Sequence, residues 1–559
     1  MAEGQITRTC KLLAGAALAA FAVEAAPAAA SISSDPARAY VEARAAALSG
    51  DHARSATLLA ALAQTQPDQV DLARKAVLEA LGSGQMDLAL SLAPKIPASK
   101  LPTEARLLLV ADQVKRRRID RALTWLQGSG DSANLTFLTP LLTAWDAAER
   151  NNMALALATI DQVPNNSLLA PLRDEEHALI LLKFRRTADA EPFARRAIGA
   201  AGGRENQIRL AMADGFLAAG DRDRALIMID GMGSDAAAAR QRVLAGKLSG
   251  QAIDTLAKAL GDVLTAFTAD LARLQRGSPP IALAQVARFA NPQNSSATTL
   301  LALLLETQGR TDEALAYLRT VPRDDALSSQ VRDAQVRILT DSKRLNEAFA
   351  IVSAAANSRD ANVNDLSRLG DIYQAMKRYN EAAATYGRAL SMANAQGLKS
   401  QIWPLLLLQA NAYEQAGRWP ETKAALQQGL ALAPDQPLLL NFMGYAKLEH
   451  HEDLDTAEAM IRKASELAPD DASITDSLGW AQYKRGKLGE AILTLQTAAE
   501  KDPDQADIQE HLGDALYKAG RRYEARFAWN AALVTADDEV ASRVKAKLSA
   551  GLNPANAAP

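Results

Sequence analysis

Small residues return along this chain at a step of 33 to 35, and that period limits the possible folds more than any other feature of the sequence. The clearest unit spans 363–394. Leu366, Leu369, Gly370 and Tyr373 fall at i, i+3, i+4 and i+7, one side of a helix. Lys377 and Arg378 break the pattern, and Ala382, Tyr386 and Ala389 then mark the buried side of a second helix. Gly370 and Ala382 are small where two antiparallel helices cross closely; a larger residue there overpacks the crossing by roughly 1–3 kcal/mol. The pair recurs as Gly479 with Ala491 and as Gly513 with Ala525. Gly444 pairs with Ala457 one residue further on, because the turn Glu449-His450-His451-Glu452-Asp453 is longer.

Traced backwards, the first small slot falls at Ala43, Val77, Val110, Ala144, Ala178, Ala213, Ala302, Val336, Gly370 and Ala410. With Gly444, Gly479 and Gly513 added, ten of the twelve steps lie between 33 and 35; the others are 89 (Ala213 to Ala302) and 40 (Gly370 to Ala410). Such an array adds core one unit at a time, so 559 residues need not divide into globular domains. The expected architecture is all-α, a solenoid of about 13–15 helix-turn-helix units. An N-terminal array covers 31–234 and a C-terminal one 295–552. Between them, 235–294 reads as diverged helical units and a joint, with Gly277-Ser278-Pro279-Pro280 breaking a helix, and 553–559 as a frayed tail.

These units resemble the tetratricopeptide repeat family, a 34-residue helix–turn–helix with Leu-Gly, Tyr, Ala, aromatic, Ala and Pro at the offsets seen here. The resemblance implies a right-handed superhelical α-solenoid and a protein-binding scaffold rather than an enzyme, with first helices lining a concave face. One residue after each slot come Asp371, Asn411, Tyr445, Trp480 and Asp514; four after come Tyr483 and Tyr517; three before come Asp476 and Glu510. Tyr445, Trp480, Tyr483 and Tyr517 then form an aromatic shelf beside the carboxylates of Asp476 and Glu510, suited to a basic, aromatic or extended segment of another protein. Tyr483 and Tyr517 equally suit the interval between neighbouring repeats.

Residues 1–30 have the order of a secretory signal: Arg8 and Lys11, an uncharged stretch from Leu12 to Val23, then Ala28-Ala29-Ala30 before Ser31. Export to the periplasm is therefore expected, and no later stretch reaches the about 20 apolar residues of a membrane span. Cys10, the single cysteine, precedes the apolar stretch, so removal of the leader removes every thiol. A net charge of −3 excludes an overall field for nucleic acid, and Lys115-Arg116-Arg117-Arg118 reads as a solvated helix end. No catalytic motif or cofactor loop is present, and His450 and His451 sit on a turn that is geometrically poor for a metal. Neither cofactor nor metal is expected, and the oligomeric state is open.

The stretch Leu440-Asn441-Phe442-Met443-Gly444-Tyr445, then Ala457 to Pro469 and Asp476-Ser477-Leu478-Gly479-Trp480, is similar to a narrower group. These are bacterial envelope tetratricopeptide lipoproteins, some of them adaptors that deliver substrates to a carboxyl-terminal processing protease. The resemblance implies a periplasmic protease and its substrates as partners; a structural part of an outer-membrane export or polysaccharide-secretion machine is the alternative. No cysteine follows the apolar segment here, in departure from that group.

Overall fold

The computed structural model describes residues 35–128, 133–233, 236–274, 277–359 and 361–558. The expected leader at 1–30, with Cys10, lies outside the described residues. Among the described residues the chain forms 30 α-helices and no strand, and no helix is long and apolar enough to cross a membrane. It divides into two compact units, Met1–Val331 and Arg332–Pro559.

In the first unit the hairpins pair α1 (Pro36–Leu48) with α2 (His52–Thr65), α3 (Val70–Gly82) with α4 (Met86–Leu92), and α5 (Thr103–Lys115) with α6 (Ile119–Thr124). Next come α7 (Thr139–Glu149) with α8 (Met153–Asp161), α9 (Arg173–Lys183) with α10 (Thr187–Ala200), and α11 (Glu205–Ala218) with α12 (Arg222–Ile229). Then follow α13 (Ala236–Leu244), α14 (Leu256–Arg273) and α15 (Ile281–Ala290), before α16 (Ser295–Glu306) pairs with α17 (Thr311–Arg319). The boundary to the second unit falls inside α18 (Ser328–Asp341), not in 235–294 where a joint was expected. Helix α18 pairs with α19 (Leu345–Ala356), α20 (Val363–Ala375) with α21 (Tyr379–Ala395), and α22 (Lys399–Gln415) with α23 (Trp419–Leu432). Helices α24 (Pro437–Glu449) and α25 (Leu454–Leu467), α26 (Ala472–Lys484) and α27 (Leu488–Lys501), and α28 (Ala506–Lys518) and α29 (Arg522–Thr535) complete the array. Helix α30 (Asp538–Ala550) stands alone at the end.

A backbone signature ties these thirteen hairpins to the sequence period. Seven residues after every slot the chain enters the left-handed region: Gly50, Gly84, Arg117, Asn151, Arg185, Gly220, Gly309, Lys343, Lys377, Gly417, His451, Gly486 and Gly520, at φ between 52° and 92°. That residue ends the first helix, and the next N–H bonds back into the last turn, as Asp51 to Ala46, Arg378 to Tyr373 and Arg521 to Leu516 do. Side-chain caps start several helices: Asp51, Asn152, Asp221, Asp453 and Asp471 each accept a first-turn N–H, and Asn362 with Asp365 forms a capping box. Each cap is worth about 1 kcal/mol.

The glycine slots are filled differently from expectation. A Cβ on Gly479 would stand 2.6 Å from Leu495 Cγ, and one on Gly444 2.6 Å from Ile461 Cγ1 and 2.7 Å from the Ala457 carbonyl. On Gly370 and Gly513 it would run into the rings of Tyr386 and Trp529. Each glycine thus receives a bulky side chain one turn beyond the expected partner. Ala382, Ala457, Ala491 and Ala525 are fully buried on the second helices.

Segment 235–294 does not simply join two halves. Within the first unit α14 packs on α5 and α7, and α15 on α3 and α5. The ties are specific: Lys115 donates to the Phe289 carbonyl (3.0 Å), Leu256 N–H to Glu149 (2.7 Å), and Lys183 to the Asp254 carbonyl (2.8 Å). Arg310 of α17 reaches the Gly82 carbonyl (3.0 Å), so the array closes back on its own beginning. Lys115, expected on a solvated helix end, also lies 4.0 Å from the centre of the Phe289 ring.

Candidate partner-binding groove

Positions one after, four after and three before each slot share an arc of about 60° on the first helix, at 100° per residue. In the second unit this stripe changes character along the array. Asp371 and Asn411 are exposed, Tyr445 is half-buried, and Trp480 and Asp514 are fully buried.

The buried end corrects the expected aromatic shelf. Trp480 (1% exposed) is stacked between Tyr483, with ring centroids 4.5 Å apart, and His511, at 4.1 Å. Asp476 is buried and meets His511 Nδ1 at 2.8 Å. Burial first, then Asp514, push Tyr483 up to about 12. Glu510 is wholly buried and takes Arg543 at 2.9 Å and Lys547 at 2.7 Å; Lys547 also reaches Asp514 at 2.7 Å. Burial raises Glu510, but Arg543 and Lys547 outweigh it and hold the carboxyl below its usual range. The cover comes from α30 and from the chain after it. Gly551 turns back at φ +79°, Asn556 bonds the Gly551 carbonyl, and Ala558 donates its N–H to Asp514 at 3.1 Å. The described part of the tail, 553–558, expected to fray, is therefore folded over α28. Tyr517, half-buried, packs in the same cluster as Leu548, Leu552 and Ala558. Tyr445 is half-buried, and burial, then Glu449, Asp476 and Asp507, raise its hydroxyl.

The same stripe is unfinished further up. Gln374 Oε1, Glu414 Oε2 and Asn441 Oδ1 are buried acceptors without a hydrogen-bond partner. Gln374 and Glu414 stand where Tyr483 and Tyr517 do in later repeats, and Asn441 where Asp476 and Glu510 do. The other oxygen of Glu414 takes His450 Nε2 at 2.8 Å, and Asn441 Nδ2 lies 3.3 Å from Ser477. Sequence reasoning singled out none of these acceptors; register alone could have found them. Besides its bond to Glu414, His450 is stacked on Trp419, and Glu452 of the same turn is joined to Lys423 and Trp419. Among the described residues no group of three or more His, Cys, Asp or Glu could hold a metal.

In the first unit the chain fills this stripe itself. Trp145 donates to Glu176 (2.7 Å), Asp214 accepts from Ser249 and Gln251, and Arg204 joins Glu175 (2.9 Å) to Asp262 of α14 (2.7 Å). Burial first, then Asp262, raise Glu175 to about 8 against the pull of Arg204. A cleft of about 480 Å³ beside the start of α11 is lined by Asn206, Gln207, Thr265, Thr299 and Gln330; its Arg204 is already held by this cluster.

Comparisons with known proteins find tetratricopeptide repeats in both units. Models described as tetratricopeptide repeat match residues 271–328 and 366–396, and one described as TPR repeat matches 479–520. A TPR repeat-containing protein of Pseudomonas aeruginosa is 29% identical over 194 residues; the match covers 34% of this chain and 31% of that protein. A tetratricopeptide repeat protein from Parabacteroides merdae shares 13% identity at a TM-score of 0.38, covering 47% of this chain and 100% of that one. The C-terminal part of a TPR repeat-containing protein from Cytophaga hutchinsonii shares 15% at a TM-score of 0.30, covering 44% and 98%.

Proposed function

We propose that this tetratricopeptide-repeat protein is a scaffold that grips a donor-rich, basic segment of another protein along α20, α22 and α24. The observation that carries this reading is the row of buried acceptors, Gln374 Oε1, Glu414 Oε2 and Asn441 Oδ1, without partners. A buried acceptor left unsatisfied costs about 1–3 kcal/mol, which an incoming N–H recovers. Downstream, the chain shows what such positions accept: His511 on Asp476, and Arg543 and Lys547 on Glu510. Asn411 and Asp371, one oxygen of which already accepts from the Tyr386 hydroxyl (2.6 Å), extend the acceptor row, and half-buried Tyr445 offers a ring at its end.

The order of charge, apolar stretch and small residues in 1–30 supports work in the periplasm. The likeness of 438–533 to envelope adaptors supports presentation of substrates to a carboxyl-terminal processing protease as the finer form of the reading. The test is binding of a fluorescent lysine- and arginine-rich peptide, with an acidic peptide as control, to the full chain by anisotropy. The basic peptide binds, salt weakens it, and Glu414→Leu with Asn441→Leu reduces affinity at least about tenfold while the circular-dichroism melt is kept. Equal binding of both peptides, or undiminished binding by the folded double variant, refutes the groove assignment.

A further inference from the structure

The outer side of α29 carries an apolar stripe that the rest of the second unit leaves open. Tyr523 is 84% exposed, Phe527 76% and Val534 81%, and Leu493 on α27 is 68% exposed. Tyr523, Phe527, Asn530 and Val534 are spaced four, three and four apart, one side of a helix. Ala525, Ala528, Trp529 and Ala532 hold the opposite side in the core. Counted from Ala491 and Ala525, Leu493 and Phe527 occupy the same place on consecutive second helices, so both repeats present a large apolar residue there. At that place the two preceding repeats carry Ala424 and Ala459. Singly scattered apolar residues are ordinary on a surface; large ones concentrated along one helix side mark a contact.

Charge along the stripe says what covers it. Its beginning is flanked by Arg521, Arg522 and Arg526, and its end by Asp537, Asp538 and Glu539, all exposed; Glu539 is paired with Arg543 (3.0 Å), so Asp537 and Asp538 carry the negative charge there. Arg521 is paired with Glu524, while Arg522, 5.5 Å over the Tyr517 ring, and Arg526, which donates to the Leu548 carbonyl (2.7 Å), keep this end positive. An anionic membrane or a uniformly charged partner would meet one favourable end and one repulsive end. A second α29 laid antiparallel meets two favourable ends. It sets Tyr523 against Val534 and Phe527 against Asn530, and brings the arginine end of each helix to the acidic end of the other. The macrodipoles also oppose, which adds a little. We propose that the chain forms a two-fold symmetric dimer through α29, with Phe527 near the axis and Leu493 at the flank. The same patch serves both copies, as a closed two-fold contact requires.

Sedimentation equilibrium of the full chain across a micromolar concentration series tests this. The expected result is a concentration-dependent species of twice the monomer mass. Phe527→Glu should raise the dissociation constant at least about tenfold, since it buries a charge at the centre of the contact. Its melting should stay unchanged, because the residue is exposed in the monomer. Arg522→Asp should weaken the dimer, and Arg522→Asp with Asp538→Arg should restore it. A wild-type chain that stays monomeric throughout, or a Phe527→Glu chain that dimerises as well as wild type, overturns the proposal. So does a monomeric chain that co-sediments with phosphatidylglycerol vesicles and loses this on Phe527→Glu, which would assign the patch to a membrane surface.

Discussion

Trp480 lies flat on His511, their ring centroids 4.1 Å apart and their planes within 16°, so two consecutive first helices are joined through a buried stack. Removing the indole leaves a cavity between α26 and α28 and strands the imidazole. Trp480→Ala should destabilise the second unit by about 3–5 kcal/mol, read as a lower urea midpoint by circular dichroism. A midpoint equal to wild type would mean the ring stands outside the core.

Stability should fall with rising pH through two separate clusters. Burial works against the His511 imidazolium, but Asp476, then Asp514 and Glu510, outweigh it and hold its pKa above the ordinary 6.5. A raised folded value means the stabilisation is complete below 6.5 and is lost as pH climbs through the folded value. Glu175 is raised from 4.5 to about 8, so the first unit is favoured below 4.5 and loses that stabilisation between 4.5 and 8. Melting temperatures followed from pH 4.5 to 8 should therefore slope less in Glu175→Gln. Asp476→Asn should flatten the slope above 6.5. An unchanged slope in either variant would show that its cluster does not titrate with folding.

Two glycines should respond to alanine with opposite signs. Gly479 faces Leu495, whose Cγ and Cδ2 would stand 2.6 and 2.9 Å from a new Cβ, whereas Gly489 has nothing within 4 Å. Gly489→Ala should raise stability by roughly 0.5–1 kcal/mol, the gain of alanine over glycine in a helix. Gly479→Ala gains the same propensity yet overpacks the crossing, for a net loss of roughly 1–2 kcal/mol. The loss should shrink in a Leu495→Ala background, a coupling that a double-mutant cycle in urea measures. Equal responses at the two sites would put the repeat register in error.

The period of small residues, read from the sequence, located all thirteen first helices and the hairpin after each of them. That information is local: helical spacing, a break, and a second helical spacing, each set by residues within one unit. It also placed Tyr445, Trp480, Asp476 and Glu510 on one stripe. Whether a stripe residue meets solvent or protein is decided by what else packs on that face, often from far along the chain. Lys547, 37 residues beyond Glu510, turns that carboxylate from a groove residue into half of a buried pair. Asp262, 58 residues beyond Arg204, does the corresponding work where α14 and α15 pack on earlier first helices. Neither partner carries a pattern that announces its target, because a Lys in a terminal helix or an Asp in a diverged one has the same local sequence exposed or buried. Periodicity therefore determined the fold and the face; tertiary packing decided that α20, α22 and α24 are where the face is left with buried acceptors unpaired.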